Sequence, residues 1–267
     1  MSKAKDAPLM DNDHVKELLG ILKDNGKDAS ILTSILGSVS EMERQLNAAA
    51  SGLASMQREL STMREERDHP VKTMLEKASR SLSAKVSGLR TRLKAIKDGI
   101  VSGCKRAVEA FKDKGASALN NLAEFFDVKS SLIAEREGIT ASIKEAEGSI
   151  AKIEAASAEL HAAGRHVKNI GRAMTGKEPI PDIKPNGKLA RFLETPFRGE
   201  ITHLNQSLRS VNKTLAALDK LEKAAAKNAQ AERPSTRETM KKLQKQIDAD
   251  RADAPAKTKT RRKEAEI

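Results

Sequence analysis

Residues 28–63 read DASILTSILGSVSEMERQLNAAASGLASMQRELSTM, and the apolar positions in that stretch decide the fold. Leu32, Ile35, Val39, Met42, Leu46, Ala49, Leu53, Met56, Leu60 and Met63 follow one another at intervals of three and four without a break. Such a row keeps facing one partner only when helices wind around each other at about 3.5 residues per turn. Asp28 marks the start, because its carboxylate can accept a hydrogen bond from an otherwise unpartnered amide of the first turn.

The same periodicity extends in both directions. Upstream, Val15, Leu18, Leu19 and Leu22 predict a short helix over about 13–23, stopped by Asn25-Gly26, which tolerate the left-handed conformation that ends helices. Downstream, Asp68-His69-Pro70 interrupts the seam and opens a third helix. That helix carries Leu75, Ala78, Leu82, Val86, Leu89, Leu93, Ile96, Ile100, Cys104, Ala107, Val108 and Phe111. Gly99 and Gly103 lie on or beside this stripe. Each costs a helix interior about 1 kcal/mol, so they mark either a close helix approach or a kink. Lys114-Gly115 reads as a break, followed by the apolar piece Leu119, Leu122, Phe125 and Phe126.

A fourth long helix is predicted from about Lys129 to Met174. Its seam is Leu132, Ile139, Ile143, Ala146, Ile150, Ile153, Ser157, Leu160, Gly164, Val167, Gly171 and Met174, with small residues that suit tight antiparallel packing. Residues 175–188 hold three prolines and two glycines and read as a loop. A short segment with Leu189, Phe192 and Leu193 leads to Thr195-Pro196, which reads as the start of a fifth helix carrying Phe197, Ile201, Leu204, Leu208, Val211, Leu215 and Leu218. Met240, Leu243 and Ile247 could form one last helix before a solvated tail with Lys257, Lys259, Arg261, Arg262 and Lys263.

The fold class expected is all-α: an elongated antiparallel helical bundle or coiled coil of long helices. Its organisation reads as a short N-terminal helix (1–27), a coiled-coil hairpin (28–127), a second hairpin (128–231) and a marginal helix with a basic flexible tail (232–267). Composition agrees. The chain is 38% hydrophobic and 32% charged, but only 2% aromatic, with five Phe and no Trp or Tyr. That is too little aromatic mass for an ordinary two-layer α/β enzyme core. Eight Pro and fifteen Gly are too few for a disordered or fibrous class. The seams could close within one chain or between chains, since both arrangements use the same residues.

The formal net charge is +12 and unevenly spread: residues 70–127 hold twelve Lys or Arg against six Asp or Glu. A lone Cys104 points to no oxidising compartment. With no apolar signal core and no long apolar run, a cytoplasmic protein is expected.

Candidate chemistry is sparse. Residues 171–177, Gly-Arg-Ala-Met-Thr-Gly-Lys, match the opening of a phosphate-binding loop, but Glu178 stands where a Ser or Thr should follow and the segment trails a helix instead of opening one. A glycine-terminated helix explains it better. His161 and His166 are five apart, the wrong spacing for two rings to face one metal ion. The histidines read as exposed polar positions. Cys104 sits on an apolar stripe as an inert thiol, and acidic pairs such as Glu65-Glu66 and Glu145/Glu147 read as solvated. No catalytic, cofactor or metal residue is assigned, and an enzyme is not expected.

Arg90, Lys94, Lys97, Lys105 and Lys112 fall within a wedge of about 80° on the third helix. They could track the phosphates of a nucleic acid, flank an amphipathic surface on anionic lipid, or form a solvated face whose long side chains cover the seam. No aromatic residue interleaves them, which argues against base stacking. Lys177, Glu178, Asp182 and Lys184, displayed between prolines, form a recognition loop or a plain connector.

Several segments look familiar together: Glu17-Leu18-Leu19 with Asn25-Gly26-Lys27, Pro70-Val71-Lys72, Ala107-Val108-Glu109-Ala110-Phe111-Lys112, residues 171–179 and residues 190–197. On these the chain resembles an uncharacterised family of helical proteins from gut Firmicutes, carried on integrative conjugative elements among genes for relaxase and transfer functions. The resemblance spans nearly the whole chain and fades after residue 232. It implies a setting in DNA processing or conjugation, and no activity, cofactor or site residue. The function expected is a non-catalytic scaffold or adaptor with protein partners, self-association included. A non-specific nucleic-acid-binding accessory protein is the first alternative, and a peripheral membrane protein using residues 82–111 the second.

Overall fold

A computed structural model describes residues 8–62, 70–181, 188–231, 240–241 and 243–247. A 3-10 turn at Leu9–Asp11 precedes α1 (Asp13–Asp24), α2 (Ser30–Thr62), α3 (Pro70–Lys114), a 3-10 segment (Gly115–Phe125), α4 (Lys129–Met174) and α5 (Lys188–Ala231). No strand occurs among the described residues, and none of their helices is long and apolar enough to cross a membrane.

Each turn follows from local chemistry. Gly26 has φ +63°, the Gly26 amide donates to the Lys23 carbonyl and the Lys27 amide to that of Leu22. This paired closure satisfies carbonyls that the end of α1 would otherwise leave bare. Asp28 accepts from the Ser30 amide at 2.8 Å, as its place before α2 predicted. Gly115 (φ +67°) ends α3, and Gly176 (φ +65°) ends α4 with the same two bonds as Gly26, from Gly176 to Ala173 and from Lys177 to Arg172.

The four long helices form a ring in which α2 and α4 each pack on both α3 and α5. Polar ties fix their directions. Arg92 meets Glu135 and Lys85 meets Glu145, so α3 and α4 run antiparallel. Lys129 meets Asp219 and Glu222 while Arg198 meets Glu154, so α4 and α5 do too. Lys97 holds Glu43 across α3 and α2, and Gln45 holds His203 across α2 and α5. The result is an up-down-up-down four-helix bundle with α1 laid on α3, where Lys112 bonds Glu17 at 2.8 Å. At 1.5 Å per residue, the 45 residues of α3 span about 68 Å.

The seams line one continuous core. Every predicted seam residue of α2 from Leu32 to Leu60 is buried, and so are Leu75, Leu82, Val86, Leu89, Leu93, Ile96, Ile100, Cys104, Ala107 and Val108 of α3. Met63 lies outside the described residues. Full burial of each large aliphatic side chain contributes about 1.5–3 kcal/mol. Together they leave the apolar stripe of residues 82–111 inside the bundle.

Three expectations change. Gly99 and Gly103 mark a close approach, but of the connector and not of a helix: a Cβ on Gly103 would stand 2.6 Å from the Phe125 carbonyl oxygen, and one on Gly99 2.8 Å from Val128. Thr195-Pro196 is not a helix start. α5 begins at Lys188 and runs through Pro196, where the missing amide leaves the Phe192 carbonyl without its helical donor. The Glu194–Arg198 ion pair at 2.8 Å spans the proline, and fully buried Phe197 anchors the turn that follows. Finally, Val167 and Met174 of the α4 seam are 71% and 84% exposed, with Ile170 beside them 64% exposed; the side chain of Leu160 lies outside the described ones. At that end of the bundle α2 is described to Thr62 and α3 from Pro70.

Gly103→Ala should therefore lower unfolding stability by about 1–3 kcal/mol through overpacking against backbone. Gly88→Ala, whose new methyl meets nothing within 4 Å, should raise it by about 0.5–1 kcal/mol through helix propensity. Urea melts followed at the helical circular dichroism band separate the two signs.

Candidate functional site

The bundle divides the basic stripe of α3. Lys97 is mostly covered and grips both carboxylate oxygens of Glu43 at 2.7 and 2.8 Å. Lys112 bonds Glu17 of α1, and Lys105 stands 3.9 Å from Glu109, four residues on. Arg90 and Lys94 are exposed. The wedge thus faces the α2 flank of the bundle, where long side chains cover the seam and pair with carboxylates.

The loop after α4 is clamped at its start. Asn169 donates to the Ile180 carbonyl at 3.4 Å and accepts from the Ile180 amide at 2.8 Å, while Arg172 donates to the Glu178 carbonyl at 2.6 Å. Lys177 and Glu178 are exposed on this return. Asp182 and Lys184 lie outside the described residues. The Gly171–Lys177 segment ends a helix, so its amides are turned back onto the carbonyls of α4.

The groups that sequence reasoning missed are buried polar ones. Gln45 is almost wholly enclosed; its amide donates to Glu41 at 2.5 Å, leaving its oxygen to accept from His203 Nδ1 at 2.8 Å. His203 is therefore half-buried and bonded across helices, unlike the exposed position expected for it. Hydrogen bonds from Arg44 and Gln45 hold the Glu41 carboxyl down at about 2. Glu145, read as solvated, instead bridges α4 to Lys85 of α3. Glu135 is buried against Arg92 at 3.0 Å, and burial outweighs the guanidinium to push its carboxyl up to about 7. Glu200 is buried beside Gly52, where only a residue without a side chain leaves it room. Its Oε2 has no hydrogen-bond partner among the described residues, and burial pushes the carboxyl up to about 8. A trace of this was present in the sequence: Glu200, Ser207 and Thr214 recur every seven residues beside the α5 seam, and all three are buried. Cys104 is enclosed as expected, its thiol pushed up to about 12 by burial.

An open cleft of about 700 Å³ lies between α3 and α4, floored by Met74, Leu75, Ala78 and Ile153 and rimmed by Lys77 and Lys152. Gly148 lines the cleft as well. Among the described residues no three His, Cys, Asp or Glu side chains gather as a metal ion would need.

These features define an all-α antiparallel four-helix bundle with polar cross-links between its helices. The chain belongs to the family of unknown function DUF6674, which matches residues 11–264. No curated protein and no solved structure matches it.

Stability should fall as pH rises. Folded Glu135 and Glu200 keep protons up to about 7 and about 8, whereas the unfolded chain releases them near the ordinary 4.5. The native state thus binds more protons between these values, and its advantage is lost as pH climbs through that window. The melting temperature should drop by on the order of 5 °C between about pH 5 and about pH 8.5. Glu200→Gln should flatten that slope. Glu41, held low, acts only in the acid range and leaves the window untouched.

Proposed function

We propose that the protein is a non-catalytic scaffold or adaptor, a stiff helical rod that holds partners at defined positions. The observation that carries this reading is where the charge goes. Lys85, Arg92, Lys97, Lys112, Lys129 and Arg198 each reach a carboxylate on a neighbouring helix. Exposed pairs of this kind add little singly, but distributed along the rod they fix register and orientation between helices. The resemblance to proteins of Firmicutes integrative conjugative elements supports an accessory role on a mobile element, in the cytoplasm.

A second reading is non-specific nucleic-acid binding, favoured by exposed Arg90 and Lys94 one turn apart on a chain of net charge +12. Fluorescence anisotropy with single- and double-stranded DNA, at low and physiological salt, separates the two. A scaffold should show no binding that survives physiological salt. A DNA-binding accessory should show affinity falling steeply with salt through counterion release. Arg90→Glu with Lys94→Glu should then weaken it about tenfold or more, leaving the helical spectrum unchanged. Lys97 must be spared in that test, because reversing its charge sets two carboxylates against each other at the α2–α3 contact.

A further inference from the structure

The exposed end of α4 is a packing surface with its partner missing. Among the described residues of the four long helices, Val167, Ile170 and Met174 are the most exposed large apolar side chains. They are not scattered: they continue, in phase, the row that is buried at Ile139, Ala146, Ile150, Ile153 and Ser157. The stripe is also open by construction. The return of residues 175–181 is pinned to Asn169 and Arg172, which at 100° per residue stand about 200° and 140° round the helix from Val167. The chain therefore comes back along the polar side and leaves the apolar side uncovered.

We propose that this end of α4 docks on the same segment of a second copy, in an antiparallel contact with a two-fold axis between residues 165 and 166. The row alternates by size: Ser157, Gly164 and Gly171 recur every seven residues, and so do Leu160, Val167 and Met174. Antiparallel pairing about that axis sets Val167 over the partner subunit's Gly164, and Gly164 under the partner subunit's Val167. It brings Ile170 to the level of the partner subunit's His161, at the edge of the contact. At the two glycine levels, Val167 over the partner subunit's Gly164 and Leu160 over the partner subunit's Gly171, a side chain meets a hole, the condition for helices to approach closely. Cβ atoms built at Gly164 and Gly171 meet nothing within 4 Å in the single chain, so both holes are vacant. The overlap also has a natural stop, because Met174 reaches the level of the partner subunit's Ser157, where that subunit's own bundle begins.

Three observations favour a second copy over an unrelated helix. The surface continues a seam already used within the chain, its large and small rows complement each other only when one copy is reversed against another, and the contact closes on itself as an isologous pair. The cations do not oppose it. Lys168 stands about 100° from Val167, and Arg165 and Arg172 about 160° and 140°, all away from the stripe. The tail residues Met240, Leu243 and Ile247, also exposed, do not fit as an occupant in the same chain. α5 ends at the Lys129 end of α4, and the eight residues from 232 to 239 span at most about 29 Å. The exposed end of α4 is on the order of 60 Å away. This pairing stands independently of the scaffold reading, which concerns other partners.

Light scattering on size-exclusion eluates of the full chain should report a concentration-dependent dimer between about 10 and 300 µM, the strength expected of an interface below about 1,200 Å². Val167→Glu with Ile170→Glu should give a monomer with an unchanged helical spectrum, since both positions are solvent-exposed in the single chain. A wild type that stays monomeric across this range, or a variant that still dimerises, overturns the proposal. Orientation is read by mixing a Gly164→Cys chain with a Val167→Cys chain of different tag length under mild oxidation. The mixed disulfide should dominate; homodimeric disulfides alone would mean a parallel pair and also overturn it. Cys104, buried in α3, stays out of the exchange. Co-flotation with anionic vesicles abolished by the same double Glu variant, without dimers in solution, would assign the stripe to lipid instead.

Discussion

The contact between α2 and α5 closes the bundle, and the rest of the structure depends on it. It joins distant segments of the chain, with Gln45 and His203 158 residues apart, so its loop-closure cost is recovered only when both neighbouring hairpins are already in register. It is also where the polar core lies. Gln45 spends both ends of its amide on Glu41 and His203, and seven residues further along α2, Gly52 makes space for Glu200. A slip of one heptad would set the Glu200 carboxyl against a side chain and separate the Gln45 oxygen from His203. An unsatisfied buried polar group costs about 1–3 kcal/mol, so these residues select one register from several that the apolar seams alone would accept.

Glycine does a second kind of work here. Gly52, Gly99 and Gly103 sit inside helices, where each weakens the helix, yet each admits a group that nothing larger would: a carboxyl, a valine side chain, a backbone carbonyl. At Gly103 the admitted carbonyl of Phe125 also takes a hydrogen bond from Arg106 at 2.6 Å. The connector between α3 and α4 is thereby fastened on α3 instead of looping free, which brings α4 back antiparallel at a fixed distance. Gly164 and Gly171 admit no such guest: a Cβ at either would meet nothing within 4 Å.

The charged side chains tell a similar story. A wedge of five cations on one helix resembles an anion-binding surface while the helix is viewed alone. In the bundle the wedge becomes the flank of a seam, where Lys97 and Lys112 are matched to carboxylates arriving from α2 and α1. What is left outward without a partner from another helix, Arg90, Lys94 and Lys105, is a smaller cationic surface than the periodicity suggested.

The sequence by itself determined the helices, their seams, and most of their ends. Three-and-four spacing, proline at the start of α3, and glycine after α1, α3 and α4 are local signals, and local energies decide them. The start of α5 is not local in this way, because Pro196 carries a strong local penalty that tertiary anchoring by Phe197 and the Glu194–Arg198 pair outweighs. Which helix neighbours which, that Glu135 and Glu200 are enclosed, that His203 is half-buried and bonded across helices, and that α4 outruns its cover were decided only by the tertiary structure. Those facts depend on which residues arrive from distant parts of the chain, and neither spacing nor composition along one helix encodes what will stand opposite it.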